Sequence, residues 1–300
     1  MNGGTPKPVA YRLDVVAVLM GMAFAFMWSS AFTSAKVALA DAPPLLMLVV
    51  RFALSGALAI AIGRALGQKM PTRPRDWAFV VLLGVCQNSL YLGLFFVAMT
   101  TVPAGLAAII ASTMPLLVAA AGPLFLGDRL AARAWVGLVV GFAGAILILG
   151  DRIGGDLDPF GLAICLIGVS ALAGATLIVR YAQLEGGLVV LVGLQMLVGG
   201  LALAPIALAT ETFRDVTITP SLVIAFTYTT LVPGVLATIL WFQLIRRVGA
   251  AQASAYHFLN PGFGVVVAWL VLGERVTGLD VVGVCIVAAG ILLVQTAPRR

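Results

Sequence analysis

The chain has 300 residues, of which 62% are hydrophobic and only 10% are charged, and its mean hydropathy is +1.12. Because a soluble domain carries about 25% charged residues, this composition excludes a water-soluble globular protein and indicates a chain solvated by lipid. The net charge of +6 comes without a basic stripe interleaved with aromatic residues, so we predict no nucleic-acid partner. The three cysteines lie inside apolar stretches, which argues against a disulfide or a metal site.

Continuous apolar blocks of about 20 residues predict membrane-spanning helices rather than barrel strands, because the blocks do not alternate between apolar and polar residues. The first block is too long for the apolar core of a signal peptide, so we interpret it as a retained span. In chain order the predicted spans are 13–38, 43–65, 76–99, 103–126, 131–150, 158–182, 188–209, 219–246, 250–273 and 277–296.

The distribution of Lys and Arg predicts the orientation of these ten spans, because basic residues concentrate in cytoplasmic segments. With the N-terminus inside, the inner segments hold 13 of the 18 basic residues and the outer segments hold four; Arg51 lies within span 2. We therefore expect both termini in the cytoplasm.

A short phrase occurs twice in the chain, as FLGDRL at 125–130 and as VLGERV at 271–276, at an offset of 146 residues. At the same offset Pro115 matches Pro261, and at an offset of 144 Arg51 matches Gln195. The first five spans thus resemble the last five. Because five is odd, two such halves cross the membrane in opposite directions, so we predict inverted five-helix repeats in residues 1–150 and 151–300.

The repeated phrase has the residues of a capped turn between two helices. Gly127 and Gly273 suit the left-handed residue that ends a helix, and Asp128 and Glu274 suit the start of the next helix, where a carboxylate accepts backbone N–H groups. We predict a structural turn here and no contact with substrate.

The stretch MWSSAF at 27–32, the segment PPLLMLVVRF at 43–52 and the paired LGDRL and LGERV phrases resemble the two EamA-type halves of the drug/metabolite transporter superfamily. The resemblance covers essentially the whole chain. It implies an all-α, ten-span, inverted-repeat transporter, in bacteria usually an inner-membrane exporter of metabolites. Within the superfamily the chain is most similar to aromatic amino-acid exporters, by general similarity and not by a diagnostic motif.

Polar and aromatic side chains inside the spans are the candidate substrate contacts, because polar groups in a bilayer usually face a cavity or another helix. In span 3, Gln87, Tyr91 and Phe95 form one helical stripe that Asn88 borders. In span 9, Tyr256, His257 and Asn260 share a face. The predicted cavity residues are Trp28, Ser30, Gln87, Asn88, Tyr91, Phe95, Thr113, Trp241, Tyr256, His257 and Asn260.

Three further residues have two interpretations each. Pro115 and Pro261 free a backbone carbonyl in their spans, so each is a gate or binding-site wall or else a structural kink. Arg51 is either a ligand for a substrate carboxylate or a structural anchor, and we favour the anchor.

The middle of each predicted span contains no Asp or Glu, which makes permanent cations poor substrates and a membrane-embedded enzyme improbable. We predict a multi-pass transporter of the bacterial inner membrane that exports amino acids, preferentially aromatic or large apolar ones, by alternating access and without cofactor or metal. The alternative is a broad exporter of drugs or metabolites. The sequence leaves the coupling ion, the resting conformation and the choice between monomer and homodimer open.

Overall fold

The computed structural model describes residues 14–102, 104–126, 130–150, 158–182, 186–272 and 277–297, and these are almost entirely helical. The first half contains α1 (Val15–Leu39), α2 (Pro44–Ala65), α3 (Pro74–Leu83), a first π-segment (Gly84–Gly93), α4 (Leu94–Ala98), α5 (Ala104–Ala111), α6 (Met114–Leu126) and α7 (Ala132–Gly150). The second half contains α8 (Pro159–Tyr181), α9 (Leu188–Thr210), α10 (Pro220–Thr229), a second π-segment (Thr230–Leu236), α11 (Ala237–Val248), α12 (Ala250–Ser254), α13 (Leu259–Leu272) and α14 (Gly278–Gln295).

Each predicted span coincides with a helix, or with consecutive helical segments, to within two residues at either end. Within the described ranges, seven helices are long and apolar enough to cross a membrane, and shorter apolar helices occupy Ile109–Gly122 and Ala132–Ile148. The chain is thus an all-helical, multi-pass membrane protein. The count of ten spans and the cytoplasmic position of the termini stay predictions, and the two Gly-acid-Arg turns, at 127–129 and 273–275, lie outside the described residues.

The four acidic residues at the edges of the predicted spans all occupy helix N-termini, where exposed backbone N–H groups favour negative charge. Asp14 and Asp158 are the N-caps of α1 and α8 and accept the N–H groups of Ala17 and Phe160. Asp76 lies in the first turn of α3, and Asp280 forms a capping box with Thr277. The carboxylates therefore mark where helices begin and do not line their centres.

Glycine-rich helices form two close pairs, α2 with α9 and α7 with α14. A Cβ atom added at Gly290 of α14 would lie 2.5 Å from the backbone N of Gly141 and 2.7 Å from the carbonyl O of Gly137. Small residues permit this backbone approach between membrane helices. These glycines pack against each other within the chain.

Irregular backbone occurs at matching places in the two halves. The first π-segment begins at Gly84 and the second at Thr230, which are 146 residues apart. At the same offset the turn between α5 and α6 at residues 112–113 maps to residues 258–259, at the end of the 3₁₀ segment Ala255–Phe258 between α12 and α13. π-Segments are rare and frequently mark functional sites, and the first of them carries Tyr91, one of the predicted cavity residues.

The two halves are tied together at both ends of α1. At its start, the Arg247 Nε donates to Asp14 Oδ2 at 2.7 Å, and this bond holds the pKa of Asp14 below its ordinary value. Beyond its other end, the Thr217 N–H donates to the Asp41 carbonyl at 2.8 Å. Helix α1 is 25 residues long, so these contacts lie at opposite faces of the bundle.

A residue of the second half caps the N-terminus of α2, and the contribution of this cap to stability can be measured. The Glu211 carboxylate accepts the N–H groups of Leu45 and Leu46 at 3.0 and 2.7 Å. We expect Glu211→Ala to reduce the free energy of unfolding by about 1–2 kcal/mol, because two first-turn N–H groups lose their acceptor. The measurement is the thermal midpoint in detergent, with the exposed loop acid Asp215→Ala as the control. Equal midpoints for the two variants would contradict the cap.

Candidate substrate site

Three aromatic side chains that the sequence singled out meet where α1 faces the third predicted span. The Trp28 and Tyr91 rings are nearly parallel, with an interplanar angle of 9° and centroids 6.3 Å apart. Tyr91 in turn contacts Phe95 at a centroid distance of 4.9 Å. Helix α1 supplies Trp28, the first π-segment supplies Tyr91 and α4 supplies Phe95. Tyr91 of the stripe predicted along span 3 therefore faces α1, whereas Phe95 packs beside Gly168 of α8.

Rings from the second half complete this group. The Trp241 ring of α11 stacks on the Phe24 ring at 4.7 Å, and the His257 ring meets Trp241 edge-on at 4.9 Å. Phe24 also contacts Trp28 at 5.4 Å. We call the six residues Phe24, Trp28, Tyr91, Phe95, Trp241 and His257 the aromatic cluster. All six are buried, and together they join both halves of the chain.

His257 lies in the 3₁₀ segment between α12 and α13, and it has one polar neighbour among the described residues. The Asn260 side-chain amide is 3.2 Å from His257 Nδ1. Because an amide nitrogen only donates, this contact is a hydrogen bond in the tautomer that carries its proton on Nε2. The described residues provide no acceptor for Nε2 and no donor for the Asn260 Oδ1, so both atoms are available to a polar ligand.

A small, partly open cavity of about 30 Å³ adjoins the aromatic cluster and shares Trp28 and Tyr91 with it. Arg51, of which 4% is exposed, forms part of its wall. The other lining residues are Trp28, Ala31, Ala35, Tyr91, Leu92, Phe96 and Pro233. The cavity thus combines apolar and aromatic walls with one guanidinium group.

Several predicted cavity residues point to other partners. Asn88 faces α9, where its Nδ2 donates to the main-chain carbonyl of Gln195 at 3.0 Å and to the Gln195 Oε1 at 2.5 Å. Ser30 shares a 2.7 Å hydrogen bond with the Tyr228 hydroxyl. Thr113 Oγ1 donates to the Ile110 carbonyl. The contacts of Asn88 and Ser30 join neighbouring helices, that of Thr113 is local to its own span, and none of the three brings its residue into the cluster.

Tyr256 and Gln87 are buried beside the cluster without joining it. The Tyr256 ring packs over Gly21 of α1, and the described residues give its hydroxyl no partner. Gln87 is 2% exposed.

The two prolines lie just after the breaks in their spans and not at the centre of a kink. Pro115 is the second residue of α6 and Pro261 the third residue of α13. In the first turn of a helix the missing proline N–H costs no intrahelical bond. The irregular backbone that serves the site is therefore in the segments before the prolines, at 112–113 and 255–258.

The sequence analysis did not select Phe24, Phe96 or Pro233 as site residues. Phe24 lies four residues before Trp28, so a search for same-face aromatics on α1 would find it. Pro233 lies inside a predicted span, as Pro261 does, and the same proline criterion would include it. Nothing in the sequence distinguishes Phe96, because its neighbour Phe95 is the one that lies at helical spacing from Tyr91.

The described residues contain no group of three or more His, Cys, Asp or Glu side chains that suits a metal ion. Cys86, Cys165 and Cys285 are all free thiols.

Comparison with known proteins gives a consistent assignment. The profile of the EamA-like transporter family matches residues 15–150 and again 159–296. The uncharacterized inner membrane transporter YedA of Escherichia coli (strain K12) is 28% identical over 290 residues, covering 94% of this chain and 92% of its own. The uncharacterized transporter YvbV of Bacillus subtilis (strain 168) is 25% identical, covering 91% and 89%.

A probable terminal-alkyne amino-acid exporter of Streptantibioticus cattleyicolor is 28% identical over 288 residues, covering 91% of this chain and 92% of its own. A solved crystal structure superposes with a TM-score of 0.80 over 93% of this chain and 96% of that one, at 20% sequence identity. At this identity the likeness concerns the fold alone.

Proposed function

This chain belongs to the EamA-like transporter family and is a membrane transporter, not an enzyme; on that premise we propose that it exports amino acids, preferentially aromatic or large apolar ones. The proposal further places it in the inner membrane of a bacterium, with both termini in the cytoplasm. It assigns the substrate path to the centre of the bundle, beside the aromatic cluster.

The aromatic cluster is the observation that carries the proposal. Aromatic rings prefer offset-stacked or edge-to-face neighbours, and such pairs contribute roughly 0.5–1.5 kcal/mol beyond the area that they bury. Six rings from α1, span 3 and the second half meet at the place where the backbone of both halves is irregular. A substrate ring that enters this centre finds aromatic faces on more than one side.

Polar groups near the cluster suit the charged ends of an amino acid. The Asn260 Oδ1 and the His257 Nε2 are buried without partners among the described residues. A carbonyl oxygen accepts from an ammonium group and a ring N–H donates to a carboxylate. The relative named as a probable terminal-alkyne amino-acid exporter, at 28% identity, supports the same substrate class.

The proposed mechanism is alternating access, in which one half moves against the other around the central site. The π-segments and the breaks at 112–113 and 255–258 interrupt regular hydrogen bonding at matching positions in the two halves. They are the places where the backbone bends at least cost. The contacts of Asp14 with Arg247 and of Asp41 with Thr217, at opposite ends of α1, are the contacts that would alternate between closed and open.

Transport by the purified full chain in proteoliposomes tests the function. We expect saturable counterflow of labelled phenylalanine and tryptophan, inhibited by large apolar amino acids and not by glutamate or lysine. Flux no greater than that of empty vesicles contradicts the proposal. Inhibition by unrelated drugs, sugars or nucleobases at similar concentrations favours the broad exporter instead.

A further inference from the structure

We propose that Arg51 binds the carboxylate of the transported solute, in a subsite that Trp28, Tyr91, Phe96 and Pro233 enclose. This inference rests on the proposed function for the site's location and adds the charge and chemical class of one end of the substrate. It also revises the interpretation of Arg51 as a structural anchor.

Arg51 is a buried cation for which the described residues supply no counterion. Only 4% of the residue is exposed, and the described residues offer no hydrogen-bond acceptor to its Nε. The ion pair that the described part of the chain records belongs to Arg247 and Asp14, at the end of the bundle. An unpaired charge inside a membrane protein is expensive, so such residues usually face a pathway or a ligand. The missing partner here is an anion.

The internal repeat supplies a comparison within the same molecule. Gln195 is the counterpart of Arg51, 144 residues later in the sequence. Asn88, in the first π-segment, donates to both the main-chain and the side-chain oxygen of Gln195. The position in the second π-segment that corresponds to Asn88, 146 residues later, is Gly234.

Gly234 faces Arg51 but has no side chain to offer it. A Cβ atom built on Gly234 would lie 3.8 Å from the Arg51 Nε. The Asn88 amide therefore holds Gln195 of the second half. The equivalent guanidinium, that of Arg51 in the first half, faces Gly234 instead. A polar partner brought by the substrate would occupy the place that the Asn88 amide takes in the other half.

The cavity beside Arg51 has the size and chemistry for a carboxylate. About 30 Å³ of space for the centres of water-sized molecules exceeds the 10–15 Å³ that one water requires. The planar guanidinium pairs with a carboxylate through two parallel N–H donors, and such charge-assisted bonds are the strong ones. Trp28, Tyr91 and Phe96 supply aromatic walls to the cavity beside the guanidinium. A whole aromatic amino acid fits only when the halves move apart, as alternating access requires.

A structural anchor is the competing explanation, and one contact favours it. The Arg51 guanidinium carbon lies 5.8 Å from the centroid of the Phe52 ring, which is within range of a cation–π interaction. An anchor affects folding and overall activity, but it does not distinguish a substrate that has a carboxylate from one that lacks it. Discrimination between acids and their neutral analogues is therefore the decisive readout.

The experiment measures binding to the purified full chain by titration calorimetry with four ligands: phenylalanine, 3-phenylpropionate, phenylalaninamide and phenethylamine. We expect the two acids to bind about 10- to 100-fold more tightly than the ligands without a carboxylate, as a charge-assisted pair implies. Arg51→Gln, which installs the residue that the other half uses at this position, should abolish that preference. Arg51→Lys keeps the positive charge but loses the two parallel N–H donors, so this variant should retain part of the preference for acids.

The matched control is Arg64→Gln, on an exposed part of the same helix, which should keep the wild-type preference. An unchanged acid-to-amide ratio in Arg51→Gln overturns the assignment, and so does a wild-type protein that binds no acid of the panel. If Arg51→Gln fails to fold, the ratio in Arg51→Lys decides. A wild-type protein that prefers acids but does not transport aromatic amino acids refutes the proposed function and leaves the Arg51 assignment standing.

Discussion

Gly290→Leu should reduce the free energy of unfolding by about 3 kcal/mol or more, at the upper end of what overpacking costs. The physical reason is that α7 and α14 touch through their backbones. A Cβ atom at Gly290 would lie within 3 Å of the Gly141 N and the Gly137 O, and no rotamer change can relieve a clash with a main chain. The helices must separate along their length, which also loses the contacts of Gly144 with Gly283. The measurements are the folded yield after detergent extraction and the thermal midpoint.

The control for this prediction is the same substitution at Gly174, inside α8, where an added Cβ meets no atom within 4 Å. We expect Gly174→Leu to leave the midpoint unchanged or raised, because replacing a glycine inside a helix removes an entropic penalty of roughly 0.5–1 kcal/mol. If the two variants are equally stable, the close pairing of α7 with α14 is wrong.

Trp28→Ala should raise the KM for aromatic amino acids about tenfold, equivalent to roughly 1.4 kcal/mol of lost binding. Trp28 and Tyr91 both belong to the aromatic cluster and line the cavity, and the Trp28 ring is nearly parallel to that of Tyr91 in the wall beside Arg51. Removing the indole takes away the largest aromatic face available to a substrate ring. The KM should rise less for leucine than for phenylalanine, and counterflow in proteoliposomes measures both.

Truncation of a buried Trp also costs stability, so a second variant separates binding from folding. Trp28→Phe keeps a ring in the cluster and should fold normally with a smaller rise in KM. Trp269→Ala, at an exposed position on α13, serves as the control and should transport like the wild type. A wild-type KM in Trp28→Ala would show that the cluster does not bind the substrate side chain.

The helical segments could be predicted from the sequence because the bilayer imposes its own length and polarity on each span. Asp14 and Asp158 show how directly the boundaries follow: each acid at the edge of an apolar block became the N-cap of a helix. The family profile matches the chain twice, at residues 15–150 and 159–296, and the division into inverted repeats at 1–150 and 151–300 stays a prediction.

The side-chain contacts of the site could be predicted only in part. Tyr91 and Phe95 were chosen from helical spacing, and they do contact each other. Asn88 was chosen by the same argument, but the first π-segment, Gly84–Gly93, shifts the faces of the helix there and its amide meets Gln195 on α9. Helical periodicity assumes regular backbone, and it fails where the backbone is irregular.

The sequence by itself determined that lipid surrounds this protein, where its helices begin and end, and that its two halves resemble each other. These properties depend on local composition and on spacing along the chain. Only the tertiary structure decided which residues lack a partner. Arg51 and Gln195 are equivalent in the repeat, but whether each one finds an amide depends on Asn88 and Gly234, which are distant in sequence. A hydrogen bond forms over about 3 Å, and only the folded chain sets distances of that size between residues more than 100 positions apart.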